Sequence, residues 1–226
     1  PPPQYAFPFV FMLPADLTSS FYLEEHHRKA TVKYKIKAEL DVHHGKDIKD
    51  SKTITINALP LDAITPAVKE HTDHVKVCCC FDKGPIWLRV STSKNAYVPG
   101  EQAQIMVEVD NQSKVAVNHL RSKLIRQLSM RSHHGHHHYH QEVVAEAEFE
   151  GVPAGTALIA DSARYVPLVL AHRGRSLPAG CDGRLIECSY KLEVECDVSC
   201  APDVCADVIV TIYHGAPAEV MLPTAP

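Results

Sequence analysis

Between Thr31 and Val42 the chain alternates without a break. Val32, Tyr34, Ile36, Ala38, Leu40 and Val42 take every second position, and charged residues fill most of the others. A period of two puts those apolar side chains on one face of an extended strand, whereas a helix would scatter them around its axis. Thr53-Ile54-Thr55-Ile56 repeats the pattern briefly. Further strands are predicted at 85–90, 103–109, 115–128, 142–149, 165–170, 185–198 and 208–213, many of them rich in Val, Ile and Tyr. Turn residues separate them: Asn95-Ala96-Tyr97-Val98-Pro99-Gly100 and Asp110-Asn111-Gln112-Ser113. Pro99 fixes one dihedral and Gly100 tolerates positive φ, which favours reversal. No long stretch keeps the i, i+3, i+4, i+7 spacing of an amphipathic helix. The expected fold is all-β, an antiparallel sandwich.

With 226 residues, of which 45% are hydrophobic and 22% charged, the chain is long enough to bury a core unaided. A formal charge of -4 gives no electrostatic footprint for nucleic acid. No apolar run reaches the roughly 18 residues of a membrane span, and the first residues lack the basic start and apolar centre of a signal peptide. The break in alternation around Pro60 and Pro66 predicts a domain boundary near residues 70–76, with a new strand from Val75 through Cys78, Cys79 and Cys80. The part before it has three or four strands, too few to close a sandwich, and the chain starts without Met. It reads as beginning partway into its first domain.

Several local patterns, in order, resemble the arrestin superfamily, and its α-arrestin (arrestin-domain-containing) branch most closely. In the first part these are Phe7-Pro8-Phe9, Leu13-Pro14, Ser20-Phe21 and Val32-Lys33-Tyr34-Lys35-Ile36-Lys37-Ala38. In the second they are Cys79-Cys80-Phe81 with Gly84, Tyr97-Val98-Pro99-Gly100-Glu101 and Val109-Asp110-Asn111-Gln112-Ser113. Leu177-Pro178 and Ile186-Glu187-Cys188-Ser189-Tyr190-Lys191-Leu192 complete the set. The resemblance implies two immunoglobulin-like β-sandwiches. Residues 1–75 would be the C-terminal half of an arrestin N-like domain and residues 76–226 an arrestin C-like domain. It also implies a non-enzymatic cytoplasmic adaptor, recruited to plasma membrane or endosomes, that binds cytosolic tails of membrane proteins in trafficking, endocytosis or ubiquitination. A retromer-type sorting-complex subunit is the alternative.

Lys33, Lys35 and Lys37 share one face by alternation. They could meet phosphorylated tails or anionic lipid, or simply form the solvated, aggregation-resistant side of a sheet. Pro2-Pro3-Gln4-Tyr5 has the PPxY form read by WW domains, which in α-arrestins belong to ubiquitin ligases, but here it leads straight into a predicted strand. Pro223-Thr224-Ala225-Pro226 has the form recognised by ESCRT components, or is the end of the last strand.

The run His133-His134-Gly135-His136-His137-His138-Tyr139-His140 reads as a polar low-complexity loop between two strands. Imidazole nitrogens also bind zinc or copper and titrate near endosomal pH, which makes a metal- or proton-responsive surface the rival reading. Of the eight cysteines, Cys196, Cys200 and Cys205 come nearest to ligand spacing but lack a Cys-x-x-Cys pair. They are expected to be free thiols. No phosphate-binding glycine loop or nucleophile elbow occurs, no cofactor is expected, and nothing in the sequence places a Cys–His nucleophile.

Overall fold

A computed structural model describes residues 4–14, 16–25, 28–60, 62–77, 81–132 and 135–215. Pro2, Pro3, the cysteine triplet, His133, His134 and Pro223-Thr224-Ala225-Pro226 lie outside the described residues.

The alternating residues of the first part build two antiparallel ribbons. β1 (Phe21–Glu25) pairs with β2 (Arg28–Val32), and β3 (Tyr34–Leu40) pairs with β4 (Ile48–Ile54). The second part places two larger sheets face to face. The first sheet runs β12 (Thr156–Leu158), β9 (Ile105–Asn111), β6 (Phe81–Thr92), β5 (Ala67–Val77), with β13 (Arg164–Tyr165) also on β9. The second runs β11 (His137–Val152), β10 (Val117–Arg131), β16 (Ile186–Val198), β17 (Val204–Ile212), β7 (Ala96–Tyr97), with β15 (Cys181–Asp182) on the free end of β16. A short pair, β8 (Gln102–Ala103) and β14 (Leu168–Val169), closes one side. The described residues contain one 3-10 turn, Ala160–Ser162, and no α-helix. The fold is the expected all-β sandwich.

Alternation explains the core. Ile86, Leu88 and Val90 of β6 and Ile105, Val107 and Val109 of β9 point inward from one sheet. Leu120 and Leu124 of β10, Tyr190, Leu192 and Val194 of β16, and Val208 and Val210 of β17 meet them from the other. Each such side chain contributes about 1.5–3 kcal/mol by leaving water. Phe21 and Ala30, both inward on the first ribbon, are 2% and 3% exposed and belong to this same core. Thr18 fixes the docking, since its hydroxyl accepts the Asp182 backbone N–H at 2.8 Å and its carbonyl accepts the Tyr34 hydroxyl at 2.9 Å.

The strand limits differ from expectation in four places. The predicted strand from Ala30 to Val42 breaks at Lys33 into β2 and β3. A strand was expected from Val75, but β5 begins at Ala67 and pairs along β6 from Ala67↔Thr92 to Val77↔Phe81, where exposed Lys, Glu and His obscure the pattern because only Val75 is deeply buried. The strand expected to follow Tyr5 is absent, and residues 4–14 are exposed and belong to no strand. The segment predicted at 165–170 divides around Pro167, which has no N–H to donate to a ladder.

The quoted motifs turn out to be joints. Asn111 is fully buried and its amide donates to the carbonyls of Val115 (2.9 Å), Val152 (3.3 Å) and Pro153 (3.2 Å). Its carbonyl accepts the Ser113 backbone N–H at 3.1 Å and hydroxyl at 2.7 Å. One side chain thus ties the end of β9 to the end of β11. Gly84, at φ +105°, takes a conformation strained for any side chain, and a Cβ there would crowd the Gln112 carbonyl at 3.0 Å. In the Tyr97–Glu101 turn, Gly100 takes φ +85° while its N–H donates to Leu170, and the Glu101 carboxylate accepts the Val98 N–H at 3.2 Å. The Tyr190 hydroxyl donates to the Pro178 carbonyl at 2.8 Å, joining the last two motif pieces.

Because Asn111→Ala strands several buried main-chain carbonyls, it is expected to lower unfolding stability by about 2–3 kcal/mol in urea titration. Gln112→Ala beside it, on an exposed side chain, should stay within about 0.5 kcal/mol.

Candidate functional site

The ribbon β3–β4 carries the lysine row. Lys35 stands opposite Thr53 and Lys37 opposite Ser51, while Lys33 occupies the gap before β3. All three are exposed, and none has an ion-pair partner among the described residues. The next pair along the same face, Glu39 and Lys49, is an ion pair, with Asp47 also 3.5 Å from Lys49. The row therefore offers three uncompensated ammonium groups on a surface of hydroxyls.

A groove of about 730 Å³ opens where the first part meets the second. Residues 13–14, 16–19, 56, 58–60 and 62 form one wall, and β15, β16, β17 and the start of β7 form the other. Leu13, Leu59 and Ile209 are 45%, 57% and 76% exposed and turn toward it. Asp16, Asp62, Asp182 and Glu187 ring it, and among the described residues no Lys, Arg or His lines it. The sequence reading missed these residues. They come from four distant segments, and the available signal is slight: each of the three aspartates sits within two positions of a Pro or Gly.

Of the histidine run, the described residues from His137 onward belong to β11. β10 extends to Arg131 and β11 begins at His137, with the turn closed by Ser132 N–H to the His136 carbonyl at 2.9 Å. The strand then separates the rings. His137 sends its Nε2 to Ser129 Oγ at 2.9 Å, while the alternation directs His138 and His140 to the other face. His136 is exposed at the turn.

Cys181, Cys188 and Cys196 are buried and in no disulfide, Cys200 is exposed and Cys205 half-buried. Burial pushes the Cys196 thiol up to about 12 and the Cys181 and Cys205 thiols up to about 11, so all three are neutral at physiological pH. Cys196 points into the core, whereas Cys205 lies opposite Glu195 on the outer face, so they cannot share an ion. Cys205 does approach Glu193 and Glu195, their ligand atoms lying within 4.8 Å of one another. Those carboxylates are already engaged: Lys123 lies 2.5 Å from Glu195, Arg121 3.0 Å from Glu195, and Lys191 2.7 Å from Glu193. The group is an ionic network that zips the strands. Arg121 reaches further, to Glu148 at 3.2 Å and Asp197 at 3.1 Å, and so spans β11, β10 and β16.

One charge lies inside. Arg126, 2% exposed, continues the inward row of Leu120, Leu124 and Leu128 on β10, and the bulge between Leu124 and Ile125 is taken up on β11, where Val144 has no partner in the register. Glu142, opposite it on β11, meets it at 2.5 Å, and His172 Nε2 lies 3.7 Å from the same carboxylate.

No helix among the described residues is long and apolar enough to cross a membrane. What the geometry defines is a β-sandwich protein with ordered surfaces for contact. Residues 82–216 match the family model for the arrestin (or S-antigen) C-terminal domain, and residues 1–60 match that for the arrestin (or S-antigen) N-terminal domain. The chain belongs to the arrestin family, whose members are adaptors and not enzymes. It is 27% identical over 216 residues to Arrestin domain-containing protein A of Dictyostelium discoideum, covering 92% of this chain and 35% of that protein. It is 22% identical over 156 residues to Arrestin domain-containing protein 15 of Caenorhabditis elegans, covering 67% of this chain and 41% of that one. The chain thus spans well under half the length of these relatives.

Glu142→Ala removes a carboxylate from a buried guanidinium and is expected to cost about 3 kcal/mol in chemical denaturation. Glu150→Ala, on the same strand but exposed, should cost under about 0.5 kcal/mol. Burial raises the Glu195 carboxyl, but Lys123 and Arg121 outweigh it and hold the group below its ordinary 4.5. Its stabilising contribution is therefore complete above the unfolded value and is lost as pH falls through the lower native value. Melting temperature measured from pH 6 down to pH 3 should fall less steeply in Glu195→Gln than in the native sequence.

Proposed function

We propose that this chain is the arrestin-like core of a cytosolic adaptor that engages cytosolic tails of membrane proteins, the lysine row meeting their phosphate or carboxylate groups. The observation that supports this most is the set of three exposed lysines without ion-pair partners on the β3–β4 ribbon. A phosphate placed there gains charge-assisted hydrogen bonds without first displacing an internal carboxylate. Recruitment to endocytic or ubiquitination machinery, at plasma membrane or endosome, follows from the adaptor role. The Pro2-Pro3-Gln4-Tyr5 motif is one route, since Tyr5 is 76% exposed and the residues after it are in no strand, leaving the segment available to a WW domain. Pro223-Thr224-Ala225-Pro226 is proposed as the corresponding ESCRT-binding element. We place the division between N-like and C-like parts at residues 75 and 76, with β5 lent to the second sandwich.

The test is phosphopeptide binding by fluorescence anisotropy. A tail peptide bearing two phosphoserines should bind with an affinity that falls with added salt, and the triple variant Lys33→Glu, Lys35→Glu, Lys37→Glu should weaken it at least about tenfold, equivalent to 1.4 kcal/mol. Equal binding by the triple variant would remove the row from the interface.

A further inference from the structure

We propose that the groove between the first part and the end of the second sandwich holds an extended, Lys- or Arg-rich peptide with interspersed apolar residues. Its cellular source would be the stretch of a membrane protein's tail next to its membrane span. Three observations converge on that chemistry. First, about 730 Å³ falls within the range of clefts that hold specific ligands, roughly 300–1,000 Å³. Second, the lining has one sign of charge. Asp16, Asp62, Asp182 and Glu187 are all exposed and none has an ion-pair partner among the described residues. That contrasts with the outer sheet face, where Glu148, Glu193, Glu195, Asp197 and Asp207 each lie within 4.0 Å of a lysine or arginine. Those five carboxylates are paired across the strands, and the four at the groove are open.

Third, Leu13, Leu59 and Ile209 present apolar surface between those carboxylates. A ligand that places cations on the rim and aliphatic groups between them satisfies both, whereas a phosphorylated or acidic segment meets four like charges and is excluded. In an extended peptide successive side chains point to opposite sides, so alternate apolar and basic positions suit such a cleft. Cytosolic segments beside membrane spans carry an excess of Lys and Arg, which matches the cationic half of that requirement. The source of the peptide rests on the adaptor reading, but the charge argument does not.

The probe is a fluorescein-labelled ten-residue peptide with Arg and Leu alternating, compared with its Glu-for-Arg counterpart. Native protein should bind the first saturably and the second not at all. The double variant Asp62→Lys, Glu187→Lys should weaken binding at least tenfold. A control of equal net charge, Glu150→Lys with Asp161→Lys, should stay within twofold. Equal loss in both variants would reduce the effect to net charge and overturn the proposal. So would unchanged binding in the groove variant, or absence of saturable binding by the native chain. Methyl NMR on the native chain decides the matter if the groove variant fails to fold: the peptide should shift Leu13, Leu59 and Ile209 signals, and shifts confined elsewhere would refute the assignment. Phosphopeptide binding at the lysine row is measured separately, so failure there leaves this result standing, and the reverse.

Discussion

The ladder between β10 and β16 supports everything else. It runs from Val117↔Val198 to Met130↔Ile186, joining strands far apart in sequence, and it is the middle of the larger sheet. Its two sides do different work. Inward, Leu120, Leu124, Tyr190, Leu192 and Val194 face the opposing sheet and carry most of the burial. Outward, Arg121 and Lys123 meet Glu195 and Asp197 across the strands. Exposed pairs of this sort are worth little singly. Set in one network across three strands, they penalise a register slip, which would place like charges opposite one another as well as exposing the apolar face.

The ends of that ladder decide where the recognition surfaces lie. At the end near Val117, Asn111 fastens the neighbouring sheet by main-chain contacts. At the other end β16 begins beside β15, where the Asp182 N–H meets Thr18. The first ribbon docks there, Phe21 and Ala30 entering the shared core. The groove is the space left beside that joint. Two of its carboxylates, Asp16 and Asp62, lie in the connecting segments and two, Asp182 and Glu187, in the β15–β16 hairpin at the joint, so its shape and its charge come from the same local geometry.

Strand content was readable because alternation in half-buried strands is a direct image of burial. It held for β6, β9, β10, β16 and β17, all of which line the core. It failed for β5, whose deep burial is confined to Val75, while Arg126 keeps the two-residue period of β10 and is missed because a guanidinium at an inward position reads as outward. The turn motifs around Asn111, Gly100 and Tyr190 were legible as signals, but their partners, Val152, Leu170 and Pro178, were not, since main-chain acceptors have no sequence signature. The lysine row was legible for the opposite reason: three like residues at alternate positions of one segment need no tertiary knowledge. The groove acids were invisible because each is ordinary where it stands and acquires meaning only when four segments converge.

The two proposed sites have opposite sign, and this bears on what one partner would look like. Lysines without carboxylates on the ribbon favour phosphate or acidic groups, and carboxylates without cations at the groove favour Lys or Arg. A tail that leaves the membrane basic and becomes phosphorylated further along matches both, whereas a uniformly basic or acidic segment satisfies one site and is repelled by the other. Surface contacts of either kind are weak alone, particularly at physiological salt, where screening acts over about 8 Å. Linked on one chain they add by effective concentration, provided the spacer spans the two surfaces. Charge order along a single tail would then select the partner, with no deep pocket and no chemistry on the ligand, which is what an adaptor of this fold requires.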